Sequence, residues 1–376
     1  MSTDSTYVAN KAKLCEALKQ HGEKCILNRS EAGVGLWNQG ATCYLNSIIQ
    51  SLCWDENFRQ ALFSQKQCDD GTVTKEMQRL FAQLQLSLQA GLSTKNLTSA
   101  FGWNKSQSHE QHDVHELFSL LLDSLVDTNT KELFDAKMKG RLGFFVIWLQ
   151  KLDNFNTHIC VDSLTCPSCS NTFNNVTSSH SLSVDIPEPV SNTNTHEDAA
   201  VVPSMTYTKL VDLLKNYFEP EELDSDNMWS CSSCNTKVQA VKSSSVQELP
   251  KKLMVHLKRF RFDPMARRRR KLNTAVLFPY KISSKELDHT ASDVTYELSS
   301  VILHTGTAQG GHYKAYCRNI DTDKWVEFDD SSVSNMEESD CKSLFWFDEN
   351  TNVEALNSEH REDSAITRDM LYENAY

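Results

Sequence analysis

Two cysteine pairs, Cys166-Pro167-Ser168-Cys169 and Cys231-Ser232-Ser233-Cys234, constrain this chain more than any other feature. Each puts two thiols on one tight knuckle, and four thiolates from two knuckles suit tetrahedral zinc. The fold must then bring two distant stretches of chain to one point; the alternative is four free thiols. The N-terminal stretch MSTDSTYVANKAKLC has no apolar core of the signal-peptide kind. The longest apolar run, Leu142–Leu149, is too short to span a hydrocarbon layer of ~30 Å. A cytoplasmic or nuclear protein is therefore expected, with no membrane partner. Its twelve cysteines should be thiols, ligands or nucleophiles rather than disulfides. At 376 residues the chain can bury a large core without covalent staples. Its net charge of -12 disfavours non-specific nucleic-acid binding, which needs clustered cations to displace counterions from phosphates.

Texture changes along the chain. Residues 1–30 are polar, with one weak helical pattern at Leu14 and Leu18. Tyr44, Leu45, Ile48, Ile49 and Leu52 trace one face of a helix starting near Thr42 or Cys43. Met77, Leu80, Phe81 and Leu84 make a second amphipathic helix, and Val114, Leu117, Phe118, Leu121 and Leu125 a third. Beyond Cys160, short runs rich in Val, Thr, Phe and Tyr alternate with Ser/Asn turns, which predicts antiparallel strands. Strand-like runs stand at 252–262, 295–304, 312–319 and 325–329, with a loop at 187–205 and one more helix through Leu210, Leu213, Leu214 and Tyr217. Helices first and sheet afterwards predict an α+β fold.

Three stretches carry groups suited to chemistry. In Asn38-Gln39-Gly40-Ala41-Thr42-Cys43-Tyr44 a cysteine sits at the start of the first helix. Unpaired N–H groups and the positive helix end favour a thiolate there, the attacking species of cysteine catalysis. The amide of Asn38 is placed to donate to a developing oxyanion. His312 follows Gly310-Gly311 and opens the strand His312-Tyr313-Lys314-Ala315-Tyr316. The double glycine permits close backbone approach, as where a substrate slides past. The alternating run Trp325-Val326-Glu327-Phe328-Asp329-Asp330 ends in two carboxylates, either of which can accept an imidazole N–H and fix its tautomer. Taken singly, each has a bland reading as a structural cysteine, a hairpin histidine or an acidic turn.

Together these stretches resemble the ubiquitin-specific proteases, the papain-like class of deubiquitinating enzymes. Gly35 to Ser47 is similar to their cysteine box and Gly310-Gly311-His312-Tyr313 to their histidine box. Trp325 to Val333 resembles the strand bearing their acidic third member. Glu110 to Leu117 resembles the segment written QQHDVQEL, and Val255-His256-Leu257-Lys258-Arg259-Phe260 is a further signature. The five matches run in order from residue 33 to 335. The stretch 97–117, with Phe101-Gly102-Trp103, resembles the subgroup of members seven, forty and forty-seven.

The resemblance implies an α+β papain-like fold with a helical thumb (31–155), zinc-bearing β fingers (156–250) and an antiparallel-sheet palm (251–376), after an extension at 1–30. It implies Cys43 as nucleophile, His312 as base then acid, Asp329 as orienting carboxylate with Asp330 in reserve, and Asn38 as oxyanion donor. Asp113, Glu116, Tyr313, Gly310 and Gly311 match positions along the ubiquitin tail. Cys166, Cys169, Cys231 and Cys234 would hold one structural zinc at the fingertip, with no catalytic cofactor. Ubiquitin and ubiquitinated proteins are the implied partners. Alternatives of the same fold are a catalytically impaired ubiquitin-binding scaffold and a protease for another ubiquitin-like modifier.

Other features sit beside this pattern. His109, His112 and His115 with Glu116 do not form HExxH and are expected on a helix surface. Arg267–Lys271 (RRRRK) is expected as a solvated hairpin tip, or else an import signal or a patch for an acidic partner. Cys53 and Cys68 are expected as buried thiols. Two departures stand out. The apolar run Leu142–Leu149 interrupts the approach to the first cysteine pair and must be buried somewhere. The sequence also ends at Asn374-Ala375-Tyr376 without the family's closing strand, whose loss would expose a sheet edge.

Overall fold

The structure, a computed structural model, describes residues 33–65, 69–87, 89–103, 114–125, 147–151, 159–177, 181–188, 206–225, 227–248, 252–287, 294–319, 322–337 and 340. The fold is α+β. Its helical part contains α1 (Cys43–Trp54), α2 (Glu56–Ser64), α3 (Val73–Leu86), α4 (Lys95–Ala100) and α5 (Val114–Leu125). The helical spacings read from sequence are the buried faces. Met77, Leu80, Phe81 and Leu84 of α3, and Val114, Leu117, Phe118, Leu121 and Leu125 of α5, lie in one core. Asp55 caps α2 by accepting the N–H groups of Asn57 and Phe58. A short parallel pair, β1 (Gly35–Trp37) and β2 (Gly91–Ser93), closes this part. Among the described residues no helix is long and apolar enough to cross a membrane.

The large sheet contains β3 (Ile147–Lys151), β6 (Leu182–Asp185), β12 (Lys252–Lys258), β16 (Lys281–Ser283), β17 (Thr295–Thr307), β18 (Gly310–Arg318), β19 (Trp325–Asp329) and β20 (Ser332–Met336). Its order is β20-β19-β18-β17-β3-β12-β6, with β16 beside β17. A smaller four-stranded sheet runs β5-β4-β11-β8, from β4 (Ile159–Thr165), β5 (Thr172–Thr177), β8 (Glu221–Leu223) and β11 (Ala240–Glu248). The remaining elements are β7 (Tyr207–Lys209), α6 (Leu210–Phe218), the hairpin β9 (Trp229–Cys231)/β10 (Thr236–Val238), the hairpin β13 (Phe260–Asp263)/β14 (Arg268–Lys271), β15 (Ala275–Leu277), which pairs with β7 in parallel, and α7 (Ser284–Leu287).

Two expectations change here. The apolar run 142–149, drawn with the helical part, gives Ile147–Leu149 to β3, a central strand hydrogen-bonded to both β12 and β17. Ile147 and Trp148 are of the β-branched and aromatic kind that strands favour. Second, β6 pairs with β12 in parallel, so the sheet is not wholly antiparallel. The long crossover between those strands makes that pairing possible. Leu14, Leu18, residues 189–205 of the loop expected at 187–205, and the chain beyond 340 lie outside the described residues.

Helix α1 decides where the site forms. It packs against β17, β18 and β19, and every residue from Cys43 to Cys53 is buried. Its far end is pinned by Trp54, whose Nε1 donates to the Arg318 carbonyl at 2.8 Å. Twelve helical residues rise roughly 17 Å, and the strand from His312 to Arg318 spans roughly 20 Å. With Trp54 fixed at Arg318, the opposite end of the helix therefore meets His312.

Candidate active site

Cys43 is the first residue of α1 and is 2% exposed. The loop before it is built by Asn38, whose Oδ1 accepts the N–H of Gly40 at 2.8 Å and of Thr42 at 3.1 Å. The Gln39 N–H donates to Thr42 Oγ1 at 2.9 Å. Asn38 thus holds the turn that aims the thiol.

His312 comes from β18, where side chains alternate. His312 and Lys314 are half-exposed, while Tyr313 and Ala315 face the core. In β19, Glu327 and Asp329 are half-exposed and Val326 and Phe328 buried. One face of this ribbon therefore carries all the polar groups. His312 Nε2 lies 2.6 Å from Asp329 Oδ1, which leaves Nδ1 as the nitrogen that can meet sulfur. The ring is hydrogen-bonded to Cys43, and that bond is the main cause raising His312 from 6.5 to about 9. Burial opposes the rise and Asp329 adds to it. At neutral pH the imidazole is thus an imidazolium beside the sulfur. Burial pushes Asp329 up, but hydrogen bonds from Lys314 and His312 outweigh it and hold the carboxyl below its usual value.

The second carboxylate has different work. Asp330, at φ 49°, accepts Asn38 Nδ2 at 2.9 Å and Asn46 Nδ2 at 2.7 Å. Its carbonyl accepts the Leu36 N–H at 2.7 Å. Asp329 is therefore the residue on the imidazole, and Asp330 ties the acidic turn to the two asparagines flanking Cys43. The turn needs glycine opposite it: a Cβ on Gly35 would lie 2.4 Å from the Ser331 carbonyl oxygen.

The five expected tail-binding positions are not gathered alike. Gly310 and Gly311 are exposed at the start of β18. The space above Gly311 is filled from within, since a Cβ there would lie 2.1 Å from Thr305 O and 2.4 Å from His304 Nε2. The double glycine makes room for the His304 ring as well as for anything outside. Tyr313 is 2% exposed, with its ring 4.5 Å from that of His304. It lies among core side chains. Glu116 is exposed in the first turn of α5, and Asp113 lies outside the described residues.

Of the other histidines, His109 and His112 lie outside the described residues. His115, expected on a helix surface, instead stacks on His256 of β12, rings 4.3 Å apart and 7° from parallel. His115 is half-buried, next to the buried Val114. The run Arg267–Lys271 is only partly a solvated tip. Arg267, Arg268 and Arg269 are exposed, but Arg270 pairs with Glu188. Lys271 turns inward to donate to the His304 carbonyl at 2.8 Å, and burial pushes it down to about 7. Cys53 is buried, as expected; Cys68 lies outside the described residues.

The four knuckle cysteines converge at the tip of the small sheet, their sulfurs within 4.8 Å of one another. Cys166–Cys234 and Cys169–Cys231 are each 3.8 Å apart, too long for disulfides. Tetrahedral zinc with Zn–S bonds of ~2.3 Å requires sulfurs ~3.8 Å apart. Each knuckle closes through a left-handed residue just after its second cysteine, Ser170 (φ 56°) and Asn235 (φ 55°). Four such thiols cannot ionise together unaided. Against the upward push of burial, the N–H groups of Cys169 and Ser168 hold Cys166 at about 6. Hydrogen bonding with Cys169, then burial, drives Cys234 up to about 12. A dication removes that conflict, so the residues fit one structural zinc. When bound it closes the shell with four protein ligands and cross-links the two knuckles.

Sequence reasoning left Lys314 and Asn46 without a role. The signal for Lys314 is its place two residues after His312 on a strand, which puts both on one face. Asn46 lies one helical turn beyond Cys43, on the side facing Asp330.

A family model described as ubiquitin carboxyl-terminal hydrolase matches residues 34–367. Among curated relatives, human ubiquitin carboxyl-terminal hydrolase 40 is 34% identical over 76% of this chain and 22% of its own length. Ubiquitin carboxyl-terminal hydrolase 47 of Drosophila melanogaster is 27% identical over 83% and 23%. Ubiquitin carboxyl-terminal hydrolase 7 of Caenorhabditis briggsae is 30% identical over 82% and 26%. The chain thus spans about a quarter of the length of these relatives. Among solved structures, a SAGA DUB module of Ubp8, Sgf11, Sus1 and Sgf73 bound to monoubiquitin matches with a TM-score of 0.63 and 23% identity. That match covers 88% of this chain and 73% of that one, a likeness of fold.

Proposed function

The chain belongs to the ubiquitin carboxyl-terminal hydrolase family, and from that premise we propose that it is a thiol-dependent deubiquitinase. Its reaction is hydrolysis of the bond after the C-terminal glycine of ubiquitin on conjugated proteins or chains. The observation that carries this reading is the meeting of Cys43, His312 and Asp329 from three distant stretches, with His312 bonded to both partners.

The geometry supports the following course. The Cys43 sulfur, beside a charged His312, attacks the carbonyl carbon of the ubiquitin C-terminal glycine. The oxyanion that forms is stabilised by the Asn38 amide and by N–H groups at the start of α1. His312 gives its proton to the leaving amine, and the tetrahedral centre collapses to a thioester on Cys43. The now neutral imidazole takes a proton from water, whose oxygen attacks the thioester. Collapse frees the ubiquitin carboxylate and leaves the Cys43 sulfur beside a charged His312 again. Asp329 keeps the ring oriented throughout and remains ionised. Names among the relatives support ubiquitin as the substrate, as does monoubiquitin bound in the Ubp8 complex.

The test is ubiquitin carrying a C-terminal electrophile. Wild type should form a covalent adduct, Cys43→Ala should form none, and wild type should convert a ubiquitin C-terminal amide to the acid. Binding of ubiquitin without an adduct would make the protein a scaffold. Faster reaction with another ubiquitin-like modifier would reassign the substrate.

A further inference from the structure

We propose that Lys314 is a positioning residue of the triad, clamping the second oxygen of Asp329 so that the first stays aimed at His312. The inference rests on the deubiquitinase reading for its kinetic readout, and on geometry alone for its origin. Asp329 is tethered at both oxygens. Oδ1 lies 2.6 Å from His312 Nε2 and Oδ2 lies 2.9 Å from Lys314 Nζ. A carboxylate held at one oxygen still turns about its Cβ–Cγ bond, a broad and soft torsion. Held at both, it has one orientation.

Lys314 is itself fixed. Its Nζ also lies 3.1 Å from Glu327 Oε1. Glu327 in turn accepts Tyr316 OH at 3.1 Å and Ser334 Oγ at 3.2 Å. These groups belong to three adjacent strands, and the register pairs Tyr316 with Glu327 and Glu327 with Ser334. The chain of contacts from Ser334 to His312 therefore follows the sheet and inherits its rigidity. His312, Asp329, Lys314 and Glu327 side chains are between 25% and 35% exposed, enough shielding for the ion pairs to be worth more than surface ones. Lys314 also stands between two carboxylates that would otherwise face each other as like charges. Burial pulls its ammonium down, but the bonds to Asp329 and Glu327 outweigh that and raise it, so the clamp is charged wherever the enzyme works.

The experiment compares wild type, Lys314→Met and Lys314→Arg, with thermal unfolding as the check on folding. Turnover is read on a ubiquitin C-terminal fluorogenic amide. The far-downfield proton resonance of the His312–Asp329 hydrogen bond is read without substrate at neutral pH. A reacting group released from its aligned orientation costs kcat, so Lys314→Met should lower kcat about ten-fold and leave KM within about two-fold. It should also broaden or displace the resonance. Lys314→Arg should restore the resonance and bring kcat to within about three-fold of wild type, since a cation with directed N–H groups is regained. Lys314→Met with wild-type kcat and resonance overturns the proposal. So does Lys314→Arg failing as badly as Met at unchanged Tm. If wild type turns over no ubiquitin substrate, the deubiquitinase reading falls on that result. The resonance in the three proteins then decides the clamp alone.

Discussion

Asp330→Asn isolates one link of the site. The substitution keeps the side-chain size, and asparagine tolerates the left-handed φ of 49° that this position holds. What changes is the set of acceptors. The carboxylate takes one hydrogen bond from Asn38 and one from Asn46. An amide offers a single oxygen and turns its own NH2 toward the other donor. One bond is lost and the survivor is no longer charge-assisted. A bond to a charged group contributes about 1.5–3 kcal/mol and a neutral one about 0.5–1.5, and partial exposure puts this site at the low end. A destabilisation of about 1.5–2.5 kcal/mol follows. Asn46 is 2% exposed and would be costly to leave without its partner, so Asn38, which is exposed, gives way. Loss of one oxyanion donor costs about 10²–10³ in kcat. Asn38 would still be held through its oxygen by Gly40 and Thr42, so about 10–100-fold is expected in kcat, with KM unchanged. Asp329→Asn, which swaps the acceptor on His312 for an amide, should cost more, up to about 10⁴. The assay is steady-state hydrolysis of a ubiquitin C-terminal amide, with Tm read in parallel. Asp330→Asn at wild-type kcat, or a loss confined to KM, would refute the link through Asn38. A loss larger than that of Asp329→Asn would reverse the two assignments.

Other outcomes follow from the same structure. Turnover of a ubiquitin C-terminal amide should fall as pH rises through about 9, because His312 there loses the proton it gives to the leaving amine; a profile flat across that range would contradict His312 as the acid. Burial first, then nearby positive groups, drives His256 and His304 down from 6.5 to about 3. The unfolded chain takes up those protons at 6.5 and the fold refuses them, so stability should be lost as pH falls from about 6.5 toward 3, by at most about 1.4 kcal/mol per pH unit for each histidine. His304→Phe should flatten that slope in denaturant titrations, and an unchanged slope would count against burial of a neutral ring. Purified protein should carry about one zinc per chain, and a strong chelator should lower Tm; a metal-free preparation with unchanged Tm would refute the four-cysteine site. Gly311→Ala must displace the Thr305 carbonyl or the His304 ring, and should lower kcat while Cys43 stays open to small alkylating agents.

Much of this was legible in the residues, because local physics left few choices. Apolar spacing alone set α3 and α5, since a helix has one face to bury. Two knuckles with four thiols announced a metal clip, and a cysteine opening a helix announced a nucleophile. The alternation in Trp325–Asp329 put the two acidic side chains of β19 on one face. What the residues could not decide was which neighbours the strands would find. Leu149 looked like part of an awkward insert until β12 and β17 closed on both sides of it. Asp329 and Asp330 are adjacent and chemically identical. Only the left-handed turn at Asp330 and the approach of Gly35 send one to the imidazole and the other to the asparagines. Lys314 had no role until Asp329 came across from the next strand. Pairing partners and turn geometry are properties of the whole chain, because they depend on contacts between residues far apart in sequence, and those contacts exist only once the core has formed.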